Sequence, residues 1–339
     1  MSESAQIIGR IEKDTGLKFP GDNHFWDVAS ADLFYAFIPR PIAYGGFSFI
    51  LKGDGYERNG HSIGNDIGPV AAKIPKPNNT VSKGILRHEY QLLAGLDHPG
   101  IIQPLDLLRA ELGYFQMQGS VDVMVMPWIQ APNLYERMKQ IGHFDISNPV
   151  ELHAFLTIAS QLGDTLDYTH SQGVAWGDAS TTNIFPHFSN LNSDHPEQIA
   201  HTMIADFGRS DYVQQSVIIE ETVFIGRYDA PEVALKPGVL PTPSSDIYSF
   251  GAILYEMLTG WHPNDPDGSL VNSGKDIFLL NKMLNDATHT PISTHLRTSS
   301  TQLNRDLEAI FAGVLAKDPD ERYTSAGEVA NDLISVLSN

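Results

Sequence analysis

The stretch Trp176-Gly-Asp178-Ala-Ser-Thr-Thr-Asn183, followed by Asp206-Phe-Gly208 and Ala230-Pro-Glu232, decides how this chain is read. Asn183 stands five residues beyond Asp178, and Ala230 begins 24 residues beyond Asp206. Upstream, Val70-Ala-Ala-Lys73 puts a lysine near the end of a short apolar strand. Glu89 comes sixteen residues later, on a stretch whose Ile85, Leu86, Tyr90 and Leu93 recur at helical spacing. Each signal alone is weak. Their order along one chain carries the information.

Phosphoryl transfer needs these residue types. A triphosphate is strongly negative, and Lys73 can bridge its α and β phosphates if Glu89 holds the flexible stem. Mg²⁺ takes hard oxygen ligands, which Asp206 and Asn183 supply. Asp178 is left to face the attacking hydroxyl, orienting it or accepting its proton.

Around these signals the chain changes character once. Residues 1–40 read as an irregular opening rich in aromatics, among them Phe25, Trp26, Tyr35 and Phe37, which should pack on the body. Residues 52–69 hold five glycines and read as a long mobile loop. Strands are expected at 41–51, 70–74, 101–108 and 121–126, with a helix at 79–96. From Asn148 the pattern turns helical: Asn148 can cap, Pro149 suits the first position and Glu151 sits at capping-box spacing. A buried helix is expected from Ser245 to Leu258, stopped by Gly260, and two more at 303–315 and 325–337.

Composition narrows the function class. The chain has 339 residues, a formal charge of −19 and no cysteine. Residues 1–126 carry a net −3 and residues 127–339 a net −16. Such acidity argues against nucleic-acid binding, which needs a basic surface. Without cysteine there is no disulfide framework, thiolate zinc site or cysteine nucleophile. The polar N-terminus lacks a signal-peptide pattern, and no stretch is apolar enough to span a membrane. A soluble cytoplasmic protein with no membrane partner is expected. Thirteen histidines show no metal-ligand spacing and read as surface or packing residues.

Taken with these motifs, the chain resembles Hanks-type, eukaryotic-like Ser/Thr protein kinases over about residues 41–337. Leu96-Asp-His-Pro-Gly-Ile-Ile102, the helix 245–260 and Asp318-Pro-Asp-Glu-Arg322 strengthen the likeness. The resemblance implies an α+β, two-lobed fold. Residues 1–40 would be an extension packing on the kinase, 41–126 a β-rich N-lobe, and 127–339 the hinge and helical C-lobe. It also implies ATP and Mg²⁺ as cofactors. Met126 would be the gatekeeper, with adenine read by the Pro127 carbonyl and the Ile129 backbone. Ile50, Ala71, Leu134 and Phe185 would sandwich the ring. Asp246 would anchor the catalytic loop, and Arg322 would pair with Glu232.

The chain departs from the family pattern at identifiable points. Aligned on Phe47, the glycine-rich loop has Ala43, Gly45 and Ser48 where three glycines are usual; Gly45 and Gly46 keep some backbone freedom. Trp176 and Gly177 stand in the His-Arg positions before Asp178. Trp176 is expected to fill its site by packing. Gly177 cannot receive a loop phosphate, so activity should not need one. Ser180 replaces a phosphate-contacting Lys and Ile225 its Thr partner, a loss that Arg209 or Arg227 would have to make good. Ser210, Tyr212, Ser216 and Thr222 lie in the activation segment, as do Glu220 and Glu221, and 186–201 is longer than usual.

The resulting expectation is an enzyme that phosphorylates Ser/Thr hydroxyls of protein substrates. The acidic C-terminal half should steer basic sequences toward it. A pseudokinase acting as a binding module is the alternative, and a small-molecule kinase, suggested by Gly177-Asp178, a second one. Regulation is expected from residues 1–40 or from a protein partner.

Overall fold

A computed structural model describes residues 3–15, 17–19, 25–45, 47–59, 62–188, 199–209, 226–235, 239–265, 289–296, 298 and 300–338. Gly46, Ser210, Tyr212, Ser216, Glu220, Glu221, Thr222, Ile225 and most of the 186–201 insertion lie outside them. The chain forms two compact units, residues 1–97 with 102–130, and residues 98–101 with 131–339. No helix among the described residues is long and apolar enough to cross a membrane.

The first unit is an antiparallel sheet with helices. Helix α1 (Glu3–Thr15) precedes strands β1 (Trp26–Ala29) and β2 (Leu33–Phe37). The expected irregular opening is therefore mostly regular. Its strands are four and five residues long, and in β1 Trp26 and Val28 point inward while Asp27 and Ala29 point out. So short an alternation is easily lost among scattered aromatics.

Strand β3 (Ala43–Tyr44) pairs with β4 (Ser48–Asn59), which pairs with β5 (Ser62–Pro75). The mobile loop expected at 52–69 is thus a long hairpin. Gly53, Gly55, Gly64 and Gly68 sit inside its strands. At Gly53 the reason is steric: a Cβ would lie 2.3 Å from the Ala36 carbonyl oxygen on β2. The glycine lets β2 approach rather than letting the chain move. Helix α2 (Thr80–Leu93) is capped by the Asn79 side chain, which accepts from the Ser82 N–H. Strands β6 (Asp106–Glu111) and β7 (Ser120–Pro127) complete the sheet, in the order β1-β2-β4-β5-β7-β6. Its period-two pattern sends Leu51, Val70, Ala72, Ile74, Val123 and Val125 into a core shared with Ile11, Leu17, Trp26, Tyr35 and Phe37.

The second unit is helical. It holds α3 (Leu134–Ile141), α4 (Pro149–Ser171), the hairpin β8 (Ile184–Phe188) and β9 (Ile199–Ile204), and the short α5 (Pro231–Ala234). Helices α6 (Pro243–Thr259), α7 (Thr301–Val314) and α8 (Ala326–Leu337) follow. Asn148 caps α4 by accepting from Val150, while Glu151 accepts from the Asp145 N–H instead of closing a capping box. Helix α6 is buried almost all round, opens on a Thr242–Ser245 capping box and stops at Gly260 in the left-handed region. Asp167 on α4 accepts from the Ala326 and Gly327 N–H groups and so caps α8. Arg322, fully buried, makes a two-pronged pair with Glu232 at 2.7 and 2.8 Å.

Candidate active site

In the first unit the register builds one face of the sheet. Ile50 lies opposite Lys73, Ala71 opposite Met126, and Lys73 opposite Met124. Side chains of directly paired residues share a face, and residues two apart on a strand do too. Ile50, Ala71, Lys73, Met124 and Met126 therefore stand on the side away from the core residues Leu51, Ala72 and Ile74.

Helix α2 packs beside β5 and β7 and brings Glu89 to Lys73. The Lys73 Nζ lies 2.8 Å from Glu89 Oε1 and 2.7 Å from Oε2, and both residues are buried. A buried ammonium and carboxylate are tolerated only when each satisfies the other.

Beyond β7, the Trp128 N–H is taken by the Pro69 carbonyl at 2.9 Å. Ile129 makes no hydrogen bond among the described residues, so its backbone N–H and carbonyl are available to a ligand. The turn after β3 is tight, with the Gly45 N–H donating to the Ser48 carbonyl at 2.8 Å.

In the second unit Asp178 and Asn183 meet. Asn183 closes a 3₁₀ turn over Thr181–Asn183. Its Nδ2 donates to the Asp178 carbonyl at 3.0 Å and to Asp178 Oδ2 at 3.4 Å. That leaves the Asn183 amide oxygen with no partner among the described residues, an acceptor suited to a hard cation.

Asp206 adopts φ +62°, a left-handed backbone that costs a non-glycine residue about 1 kcal/mol or more. Its Oδ1 accepts from the Gly208 N–H at 3.1 Å. Strain of this kind persists where the surroundings over-determine it, and it gathers at functional sites.

The loop before Asp178 is held from beneath. Asp246, buried on α6, accepts from the Trp176 N–H at 2.7 Å and the Gly177 N–H at 2.9 Å. His170 lies 2.9 Å from the same carboxylate. Trp176 does more than pack: its indole N–H donates to the carbonyls of Ala205 and Asp206, both at 3.1 Å. Gly177 adopts φ +72°, and a Cβ there would stand 2.6 Å from Pro241. No larger side chain fits that position without strain.

The two arginines proposed to replace the missing lysine part company. Arg227 donates to Glu256 at 2.8 Å, and the Tyr228 hydroxyl donates to the same carboxylate at 2.9 Å. Arg209 grips Asp229 with both Nη atoms, at 3.0 and 2.9 Å, and lies 3.5 Å from Asp178 Oδ1. Burial opposes the Arg209 charge, but Asp229 and Asp178 outweigh it, so its pKa is raised. The Ser180 hydroxyl lies 2.8 Å from the Thr182 hydroxyl and accepts from the Thr182 N–H at 3.3 Å. Leu134 is fully buried at the start of α3, and Phe185 is half-buried on β8, which α3 touches.

Two contributors escaped the sequence reading. Asp229, directly before Ala230-Pro-Glu232, has no motif status, and its only signal was an acid beside a structural proline turn. The Trp176 indole donor was readable from residue type alone, since a buried Trp N–H needs an acceptor.

Comparison with known proteins agrees with this geometry. The model of the protein kinase domain family matches residues 64–334. The serine/threonine-protein kinase PknB of Mycobacterium leprae is 27% identical over 255 residues, 74% of this chain and 36% of that protein. PrkC of Bacillus subtilis, also a serine/threonine-protein kinase, is 27% identical over 249 residues, 73% of this chain and 33% of that protein. The chain thus spans about a third of the length of these curated relatives. The crystal structure of the Mycobacterium tuberculosis PknI kinase domain shares the fold, with a TM-score of 0.58 and 17% identity over 91% of this chain and 98% of that one.

Proposed function

The chain belongs to the protein kinase family, and from that premise we propose that it transfers the γ-phosphate of ATP to Ser/Thr hydroxyls of protein substrates. The observation that carries this is the buried Lys73–Glu89 pair, closed at 2.7–2.8 Å. It gives a cation for the α and β phosphates a fixed position. The donor set also fits a metal. Asp206 and Asn183 supply a carboxylate and an amide oxygen, and Mg²⁺ is commonly held by one or two side chains with the phosphates. Among the described residues no group of three His or acidic side chains forms a cage of its own. When bound, Mg²⁺ would neutralise charge on the phosphates.

In the reaction the acceptor O–H gives its proton to Asp178 as the new oxygen–phosphorus bond forms and the bond to the ADP oxygen breaks. Asn183, bonded to Asp178, keeps that carboxylate oriented. The Ile129 backbone reads adenine, with Met126 beside it on the Lys73 face of the sheet.

The reading extends to two finer points. Gly177 leaves no residue to receive a loop phosphate, and Pro241 fills the space one would need, which supports activity without loop phosphorylation. The net −16 of residues 127–339 supports a preference for Lys/Arg-flanked hydroxyls by electrostatic steering.

The test is label transfer from ATP, with Mg²⁺, to a generic basic protein, run beside Asp178→Ala. Transfer by the wild type and its loss in the variant is the expected result. ATP binding without transfer would establish the binding-module alternative, and transfer only to small hydroxyl compounds the small-molecule one. A peptide panel favouring acidic flanks would sink the steering claim.

A further inference from the structure

Arg209 follows Asp206-Phe-Gly208 directly, and Asp229 directly precedes Ala230-Pro-Glu232, so their pair joins the two ends of one segment. A clip of that kind needs one fork and one carboxylate. Here the fork does more: the Nη1 that donates to Asp229 at 3.0 Å also faces Asp178 Oδ1 at 3.5 Å. We propose that Arg209 is a positioning residue for phosphoryl transfer, holding the Asp178 carboxylate while Asp229 holds the guanidinium. The inference rests on the reading of Asp178 as the group that faces the acceptor hydroxyl.

Three features show that the arrangement is built. Asp229 is itself fixed, its Oδ2 accepting from the Gly226 N–H at 2.7 Å. Gly226 leaves room for the network where it stands, since a Cβ there would lie 2.5 Å from Asp229 Oδ1 and 2.9 Å from Arg209 Nη1. Arg227, the other arginine near by in sequence, is committed to Glu256. The planar fork suits the task, since it can saturate one carboxylate in two-pronged fashion and still offer an edge to a second. A lysine would supply charge without that geometry.

The experiment measures kcat, the KM for ATP and for a peptide, and the melting temperature. It compares Arg209→Met, Arg209→Lys, the swap Arg209→Asp with Asp229→Arg, and Asp178→Ala. Misplacing a reacting group by about 1 Å costs on the order of 10²-fold in rate, so Arg209→Met should lower kcat by roughly that factor. Both KM values should stay within about twofold, and the melting temperature should show the variant folded at the assay temperature, so that the fall in kcat is not a loss of folded protein. Arg209→Lys should recover part of the loss. The swap restores an ion pair between the segment ends but puts a carboxylate beside Asp178, so its kcat should stay at least as low as that of Arg209→Met.

Wild-type kcat in Arg209→Met would overturn the inference. So would a swap variant within about twofold of wild type, because the pair would then act only as a clip. If Arg209→Met does not fold, Arg209→Lys and the swap, which keep a cation in the network, decide the matter. An Asp178→Ala protein with full activity would instead overturn the reading of the site itself.

Discussion

The turn at 45–48 and the loop at 176–183 both depart from the family pattern, and each departure is held in a different way. The turn is steadied from outside. The Tyr44 hydroxyl donates to Asp14 on α1, the Arg10 guanidinium lies 5.4 Å over the Tyr44 ring, and the Lys76 ammonium lies 4.5 Å over it. The Lys76 N–H donates to the Phe47 carbonyl at 2.9 Å. The loop is held from within, by buried Asp246, by the Trp176 indole and by the Arg209 fork. Surface ion pairs and exposed cation–π contacts contribute about 0–1 kcal/mol each. Removing one partner of a buried charged network costs several times more. The difference implies a turn at 45–48 that is tuned and a loop at 176–183 that is fixed.

The sharpest way to break that contrast is at Asp178. Asp178→Ala should lower kcat by about 10²–10⁴-fold, the range for a positioned acid–base group, with ATP affinity unchanged by equilibrium binding. A tenfold loss or less would place the loop in the same class as the turn. Next in size is Gly177→Ala. A left-handed φ of +72° costs alanine about 1 kcal/mol, and a Cβ 2.6 Å from Pro241 adds an overpacking strain of about 1–3 kcal/mol. Chemical denaturation should show a loss of roughly 2–4 kcal/mol. If the variant is as stable as wild type, the fixed character of the loop is wrong.

Trp176→Phe removes the indole donor and part of the packing but keeps an aromatic ring. Two carbonyls, those of Ala205 and Asp206, would lose a partner they now share. A net hydrogen bond contributes about 1 kcal/mol, so stability should fall by about 1–2 kcal/mol, part of it from lost packing. Because Asp206 is the metal-facing carboxylate in the reading above, the Mg²⁺ concentration for half-maximal activity should rise as well. Unchanged Mg²⁺ dependence would show that Trp176 serves packing alone.

How far this contrast was visible in the sequence follows from the kind of interaction involved. The pairs Lys73–Glu89 and Arg322–Glu232 and the Asp246 anchor were legible because their spacing or order along the chain is itself the signal. The Gly260 stop and the Asn148 cap were legible because they are local. The 52–69 hairpin was not, because glycine serves both loops and close strand approach, and only the Ala36 carbonyl beside Gly53 separates the two. Nor was Tyr44, whose partners Arg10, Asp14 and Lys76 come from either side of it in sequence and carry no pattern. Arg209 and Arg227 were named together as stand-ins for the missing lysine, and nothing local in the sequence showed that the first pairs with Asp229 and the second with Glu256.

Tyr44 also gives the smallest and most discriminating effect. Burial, and then the hydrogen bond to Asp14, push its pKa well above the ordinary tyrosine value, so the hydroxyl stays a donor throughout ordinary pH. Tyr44→Phe deletes that donor and leaves the ring beneath Arg10 and Lys76. A brace of this sort acts by restricting the turn before nucleotide arrives, so its loss should appear in ATP binding and not in the chemical step. With about 0.5–1 kcal/mol at stake, the KM for ATP should rise roughly two- to fivefold while kcat stays within about twofold. Asp14→Asn should give the same shift, and the double variant no more than either alone, since both remove one interaction. A fall in kcat comparable to that in Arg209→Met would mean that α1 reaches the chemistry itself, and the distinction between a tuned turn and a fixed loop would not stand.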